Sequence, residues 1–316
     1  TRGQAMNADH IEISNDHLRA RLSPRGAGLV GLWHGAVTRS LVLGYADGTP
    51  AGYMGALVGP VANRIGGAAV TIDGTRWQMQ ANEGTTCLHS GDDGVHSRVW
   101  TVSDHSATEV TFSLALDHGE CGLPGIRRMN ARYTLEGSAL RLDICAITDR
   151  TTVMNIAHHP YWNLAGSGTV QDHSLRVFGD SYLPVDADKL PTGAQTSISA
   201  LGLMPDRDTP LHHAAPMDHN ICLGRKRDTP HPAACLTGPN GLHLTISTTE
   251  PGLQVYDGAG LPDQPDAAML GAKIGPYAGI ALEPQGWPNA PHNDSFPAIT
   301  LLSGNNYRQT TIYTLN

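Results

Sequence analysis

Tyr133-Thr-Leu-Glu-Gly-Ser-Ala-Leu-Arg-Leu-Asp-Ile144 decides the fold class. Tyr133 and Leu135 alternate with polar residues, Glu136-Gly137-Ser138 turns the chain, and Leu140, Leu142 and Ile144 alternate on the way back. A period of two belongs to a β-strand, whose successive side chains point to opposite faces. Two such runs joined by a short glycine-bearing turn predict a hairpin with one buried face.

The same pattern recurs on both sides of this stretch. Val110, Phe112, Leu114 and Leu116 precede it. Ile11 and Ile13 reach Asn15-Asp16, and Leu18, Ala20 and Leu22 return. Val70 and Ile72 lead into Asp73-Gly74 and then to Trp77 and Met79; Asp-Gly is a strong hairpin signal because both turn positions take positive φ. Pro239-Asn240-Gly241 turns into Leu242, Leu244 and Ile246, Leu253 and Val255 follow, and residues 311–315 are expected to close the sheet. No window carries sustained helical periodicity with a cap at each end. Residues 187–216 read as a packed, polar loop. The expected fold is all-β, one large antiparallel β-sandwich over residues 7–316, with Thr1–Met6 a remnant ahead of a natural start. A sandwich of this size offers a broad concave face whose rim loops can carry a site.

Composition narrows the function. A net charge of −8, with scattered Lys and Arg, disfavours nucleic acid or an anionic membrane as partner. No run approaches the roughly 18 apolar residues of a membrane span, and no apolar signal segment follows the start. The five cysteines are odd in number, widely spaced and without a C-x-x-C pair, so a reducing, cytoplasmic setting is expected. The 16 histidines form no H-x-H, H-E-x-x-H or mixed Cys/His ligand pattern, so neither a metal nor another cofactor is expected. Phosphate-loop glycines and a G-x-S-x-G elbow are also missing from the sequence.

Five stretches remain as candidates for chemistry. In Ala281-Leu-Glu-Pro-Gln-Gly-Trp-Pro-Asn-Ala-Pro-His-Asn293, Glu283 follows a short apolar run, and Pro284 cannot donate to a ladder. Glu283 is therefore expected where a strand ends. With Gln285 and Trp287 beside it, the carboxylate suits a polyhydroxylated ligand; the plainer reading is a solvated loop Glu. In the stretch from Gly55 to Gly66, glycines permit close approach and Arg64, after Asn63, supplies a fixed cation with a fork of donors, or pairs with a structural carboxylate. His89 lies in Cys87-Leu-His-Ser-Gly91. His158-His159-Pro-Tyr-Trp162 sets two imidazoles on opposite strand faces, so one at most serves a given site. Tyr161 and Trp162 offer flat surfaces for a sugar ring, or an aromatic core. Asp218-His219-Asn220 can hold several hydroxyls, or make an Asx turn.

Taken in order, these stretches resemble the aldose 1-epimerase (galactose mutarotase) family from about Ile11 to the C-terminus. The matches are Gly-x-x-x-Asn63-Arg64-Ile65, Leu88-His89-x-Gly91, His159-x-Tyr161-x-Asn163-Leu164-Ala165-Gly166, Tyr182-Leu-Pro-Val-Asp186 with Pro191-Thr-Gly193, Asp218-His219-Asn220 and Leu282-Glu283-Pro284-Gln285. The family commonly has other residues where Pro60, Ser90 and Pro160 stand, and an aromatic near Val95.

The resemblance implies a galactose mutarotase-like supersandwich that interconverts the α and β anomers of a free aldose without a cofactor. It implies Glu283 as general base and His159 as general acid, with Arg64, His89 and Asp218 binding substrate. Asn63, Trp162 and Gln285 join the expected binding set. A carboxylate and an imidazole on opposite sides of the sugar ring would open and reclose it, Glu ionised and His protonated at the start. The alternatives are a non-catalytic carbohydrate-binding module and a glycoside hydrolase using Glu283 and Asp218. The expected partner is a monosaccharide, and the expected assembly a monomer or homodimer.

Overall fold

The computed structural model describes residues 10–35, 38–44, 52–166, 168–205, 207–269 and 272–316. The expected N-terminal remnant lies outside them. The Tyr133–Ile144 hairpin forms from strands Arg127–Glu136 and Ala139–Thr148, with Leu135 opposite Leu140 and Tyr133 opposite Leu142. Glu136 pairs with Ala139, so the loop is only Gly137 and Ser138, and Gly137 takes φ 57°. The second hairpin also forms: Asp73 and Gly74 sit at φ 49° and 75° between Ala69–Ile72 and Thr75–Gln78. Both turn residues need that left-handed region, which Asp tolerates and Gly adopts freely.

Nine antiparallel strands make the larger sheet, in the order Thr209–Pro210, Ser174–Val177, His231–Thr237, His243–Thr248, Tyr307–Leu315, Ala139–Thr148, Arg127–Glu136, Glu109–Leu116 and Thr101–His105. The C-terminal strand thus lies in the middle of this sheet rather than closing its edge. It runs nine residues, with Tyr307, Gln309, Thr311, Tyr313 and Leu315 all facing inward and buried, and it pairs on both sides. Period two says which residues face the core; it does not say which distant strands become neighbours.

A six-stranded sheet packs across that inward face, in the order Tyr161–Trp162, Ile280–Gln285, Gly252–Tyr256, Asp218–Cys222, Ser181–Tyr182 and Thr196–Ser197. One core joins Phe112, Tyr133, Leu142, Ile246 and Tyr313 of the nine strands to Ile221, Val255, Leu282 and Trp162 of the six. A strand that gives Leu282 to this core must turn Glu283 to the opposite face. By the same alternation Asp218, Gln254 and Tyr161 share that opposite face with Glu283, since Gln254 pairs with Glu283, Asp218 with Tyr256 and Tyr161 with Ala281. Among the described residues no α-helix occurs; six short 3₁₀ turns are the only helical pieces.

Candidate active site

Glu283 sits inside a strand, not at its end. Strand Ile280–Gln285 runs through Pro284, which pairs with Leu253. On the other side, Tyr161–Trp162 reaches only Ala281 and Ile280. The Pro284 carbonyl is taken there by the Gln309 side chain, at 3.1 Å. A residue's N–H and C=O point to the same side of an antiparallel strand, so the missing Pro284 donor falls where no strand would receive it.

Glu283 is 2 % exposed and His159 is 5 % exposed. His159 Nε2 lies 3.4 Å from Glu283 Oε1. Two backbone bonds fix His159: its N–H donates to the Ala56 carbonyl, and its own carbonyl accepts from Gly55 N–H, both at 2.9 Å. His158 points the other way, its Nδ1 3.0 Å from the Tyr313 hydroxyl in the core. Adjacent imidazoles on a strand therefore divide between core and site, as the alternation requires.

The Arg64 guanidinium is held by Glu83 through Nε and through Nη2 at 2.9 Å, and its Nη1 lies 3.8 Å from Asp218. Asp218 is held further by Gln254 Nε2, which donates at 2.8 Å, and by Lys189 Nζ at 3.2 Å. Arg64 thus has both the structural carboxylate of the plainer reading and the site carboxylate of the family's pattern. Asn63, at φ 63°, spends its Oδ1 on the Arg64 N–H at 2.9 Å, and its own N–H donates to His89 Nδ1 at 3.1 Å. That bond makes Nδ1 the acceptor, so neutral His89 carries its hydrogen on Nε2. The His89 and His159 rings lie 5.5 Å apart.

The expected set therefore converges, with one correction and one residue left open. Trp162 is fully buried, its ring 5.1 Å from Tyr313, so it is core and offers no face to a sugar. Tyr161 takes the site face instead, its ring 5.0 Å from His159. Gln285 is fully buried on the Glu283 face of the strand, with neither end of its amide hydrogen-bonded among the described residues. Ser90 and Val95, two departures from the family pattern, are structural: the Ser90 hydroxyl bridges Val61 N and O, and Val95 is core.

Sequence reading missed Tyr53, Gln254, Lys189 and Glu83. Tyr53 lies 4.5 Å from the His89 ring and stacks on His159 at 6.2 Å. Gln254 carried a usable signal: it is the polar residue between Leu253 and Val255, so it must oppose their buried face. Lys189 and Glu83 come from loops whose approach only the fold determines. No group of three or more His, Cys, Asp or Glu placed to hold a metal ion occurs among the described residues.

Burial dominates the site's electrostatics. It pushes the Glu283 carboxyl well above the ordinary carboxylate range; Asp218 adds to the rise and Arg64 opposes it. Burial pulls His159 down to about 4, with Asp218 opposing. His89 is pulled well below the usual imidazole value, first by burial and then by His159, His96 and Arg64. A low-dielectric pocket disfavours whichever form is charged. Burial therefore pulls both groups toward their neutral forms, against the expected starting state of ionised Glu and protonated His.

Residues 9–314 match the aldose 1-epimerase family profile. The galactose mutarotase of Sus scrofa is 36 % identical over 267 residues, 82 % of this chain and 78 % of that protein. The aldose 1-epimerase of Escherichia coli K12 is 29 % identical over 283 residues, 83 % and 80 % of the two chains. Among solved structures, a GalM/aldose epimerase homologue from C. elegans superposes with a TM-score of 0.85 at 28 % identity, covering 98 % of each chain. A galactose 1-epimerase from Lactobacillus acidophilus shares the fold at a TM-score of 0.83 and 22 % identity, over 99 % of this chain and 96 % of that one. With the family profile spanning nearly the whole sequence, the chain belongs to the aldose 1-epimerase family.

Proposed function

We propose that this protein interconverts the α and β anomers of a free, uncharged aldose, with Glu283 and His159 as the two proton carriers. The observation that carries the reading is the 3.4 Å approach of His159 Nε2 to Glu283 Oε1 in a buried site. That gap admits no sugar ring between the two groups. They must address the ring from one edge, which suits the chemistry: the anomeric hydroxyl oxygen O1 and the ring oxygen O5 are both bonded to C1.

Glu283 takes the O1 proton, the O1 electrons form the C1 carbonyl, the C1–O5 bond breaks, and O5 takes a proton from His159. Rotation about C1–C2 presents the other carbonyl face, and closure returns both protons. On this reading the pair holds one proton, on Glu283 at rest and on His159 in the reactive state, so moving it changes no net charge. Its cost is charge separation in a dry site. Arg64 offsets that at the carboxylate, whereas Asp218 favours the proton on both groups and so leaves the balance between them nearly unchanged.

Charge also speaks for an uncharged sugar. Both site cations are already matched, Arg64 by Glu83 and Asp218, and Lys189 by Asp218. A sugar phosphate would need a free one. The hydrolase reading loses ground because an imidazole, not Asp218, touches Glu283. A non-catalytic binding module would have no use for two proton carriers in contact.

Residues 7–316 act on this reading as one catalytic domain. Every group in the scheme comes from one chain, so a monomer suffices and a homodimer would add no catalytic residue. The five unpaired cysteines fit a reducing, cytoplasmic setting, and nothing in the site favours nucleic acid. No described helix is long and apolar enough to cross a membrane.

Freshly dissolved single anomers of unphosphorylated aldoses, followed by polarimetry, test the reading; exchange no faster than buffer across hexoses, pentoses and deoxy sugars sinks it. Asp218→Asn is expected to raise KM about tenfold or more with kcat nearly unchanged, because hydrogen bonds from sugar hydroxyls to a charged acceptor are worth roughly 1.5–3 kcal/mol. A fall in kcat with KM unchanged would move Asp218 from binding into the proton-transfer step.

A further inference from the structure

Among the described residues, the strand that carries Glu283 has no neighbouring strand on one side beyond Ala281. Side chains stand in for it. Gln309 Nε2 donates to the Pro284 carbonyl at 3.1 Å. Asn155 grips Gly286 at both backbone atoms: its Oδ1 accepts from Gly286 N–H at 2.7 Å, and its Nδ2 donates to Gly286 O at 3.2 Å. Gly286 permits the approach, since a Cβ there would come 2.9 Å from Ile299 and 3.1 Å from Asn155. Asn155 also reaches the Arg64 stretch, its N–H donating to the Pro60 carbonyl at 2.7 Å and its carbonyl accepting from Ala62 N–H at 2.6 Å.

The direction of the Gln309 amide is itself determined. The Tyr307 hydroxyl accepts from Ile156 N–H at 3.1 Å and from Arg227 Nη2 at 3.4 Å. Its own hydrogen must therefore go to Gln309 Oε1, at 2.7 Å. That turns Gln309 Nε2 toward Pro284. Arg227 is anchored in turn by Glu250, with Nε donating to the two carboxylate oxygens at 2.8 and 2.9 Å. Glu250, Tyr307, Gln309 and Asn155 are all buried. A chain of bonds thus runs from a partly exposed Arg227 on the buried Glu250 to the residue next to Glu283, while Glu283 Oε2 itself has no hydrogen-bond partner among the described residues.

We propose that Gln309 and Asn155 are positioning residues for Glu283, and that the Glu250–Arg227–Tyr307 chain sets the Gln309 amide. This rests on Glu283 being the base. A carboxylate that must reach O1 while touching His159 depends on its backbone to within a fraction of an ångström, and a 1 Å misplacement can cost about a hundredfold in rate. The central place of the C-terminal strand gives its inward row this role.

The test is steady-state anomer exchange by the full-length protein bearing Gln309→Met, measured well below the melting temperature. Tyr133→Phe is the control: it removes a buried hydroxyl of the same sheet that donates to the Ala27 carbonyl at 2.8 Å and bonds to no member of the chain. Gln309→Met is expected to lower kcat by about ten- to a hundredfold with KM within about twofold, and to move the alkaline limb of the pH profile. Tyr133→Phe should lower only the melting temperature. Tyr307→Phe, which keeps the ring and frees the Gln309 amide, should give a smaller kcat loss that is not additive with Gln309→Met. If Gln309→Met fails to fold, Tyr307→Phe carries the test alone. Wild-type kcat in the folded variants, or additive losses in the double variant, overturns the proposal. Should Glu283→Gln lose activity while Gln309→Met keeps it, the positioning role falls alone; should Glu283→Gln keep activity, the base assignment falls first.

Discussion

Glu283→Gln is expected to lower kcat for catalysed anomer exchange by about 10²- to 10⁴-fold, the usual contribution of a positioned general base. The substitution keeps the shape and the strand and removes only the ability to take a proton. Stability should move the other way, or not at all. Glu283 is buried, its carboxyl is pushed up by burial and by Asp218, and its Oε2 has no hydrogen-bond partner among the described residues. Such a group is held against its own preference, and replacing it by a neutral amide removes that strain. The paired readout is polarimetric exchange and thermal melting on the same sample. A variant that melts at or above the wild-type temperature and has lost exchange fits a base in a strained pocket. Full exchange in a folded Glu283→Gln protein removes Glu283 from the reaction, and a large loss of stability would mean that it serves the fold.

Much of this is legible in the sequence. The hairpins at Tyr133–Ile144 and at Asp73-Gly74 are local, and local patterns report themselves: two residues of turn chemistry and a period of two suffice. The order of Arg64, His89, His159, Asp218 and Glu283 along the chain pointed to the set that the structure gathers. Three things were out of reach. Trp162 and Tyr161 differ by one position, and one step along a strand exchanges core for site, so the choice needed the register against Ala281. The proline after Glu283 suggested a strand end, but a proline is tolerated wherever its missing donor faces no partner, and that depends on Tyr161–Trp162 being only two residues long. Lys189 and Glu83 are long, polar and loop-borne; their meeting with Asp218 and Arg64 is a product of long-range approach. The direction of the pKa shifts is out of the sequence's reach for a related reason. Residue types set ordinary pKa values, whereas depth of burial decides which way they move.

Burial also predicts the pH profile, and with it the consequence of losing His159. The active pair holds one proton. Lowering the pH adds a second, and the group that takes it is His159, held down to about 4. Raising the pH removes the last one, and Glu283 resists that, since its carboxyl lies well above the ordinary carboxylate range. The one-proton state therefore extends to lower pH than a free imidazole, with its value of about 6.5, would permit. kcat/KM for exchange, corrected for the solvent reaction, should stay flat through pH 6.5 and fall on an acid limb near 4 that belongs to the pair as a whole. An acid limb at about 6.5 would mean that His159 titrates in contact with water, contrary to its burial. His159→Gln should abolish that limb and lower kcat by about 10²- to 10⁴-fold, because O5 then departs without a proton donor. The residual rate should rise toward acid pH, where solvent supplies the proton that the imidazole no longer does. A His159→Gln protein that keeps both the wild-type rate and the limb near 4 would assign the donor to another group, and His89, whose ring lies 5.5 Å from that of His159, would be the first to substitute.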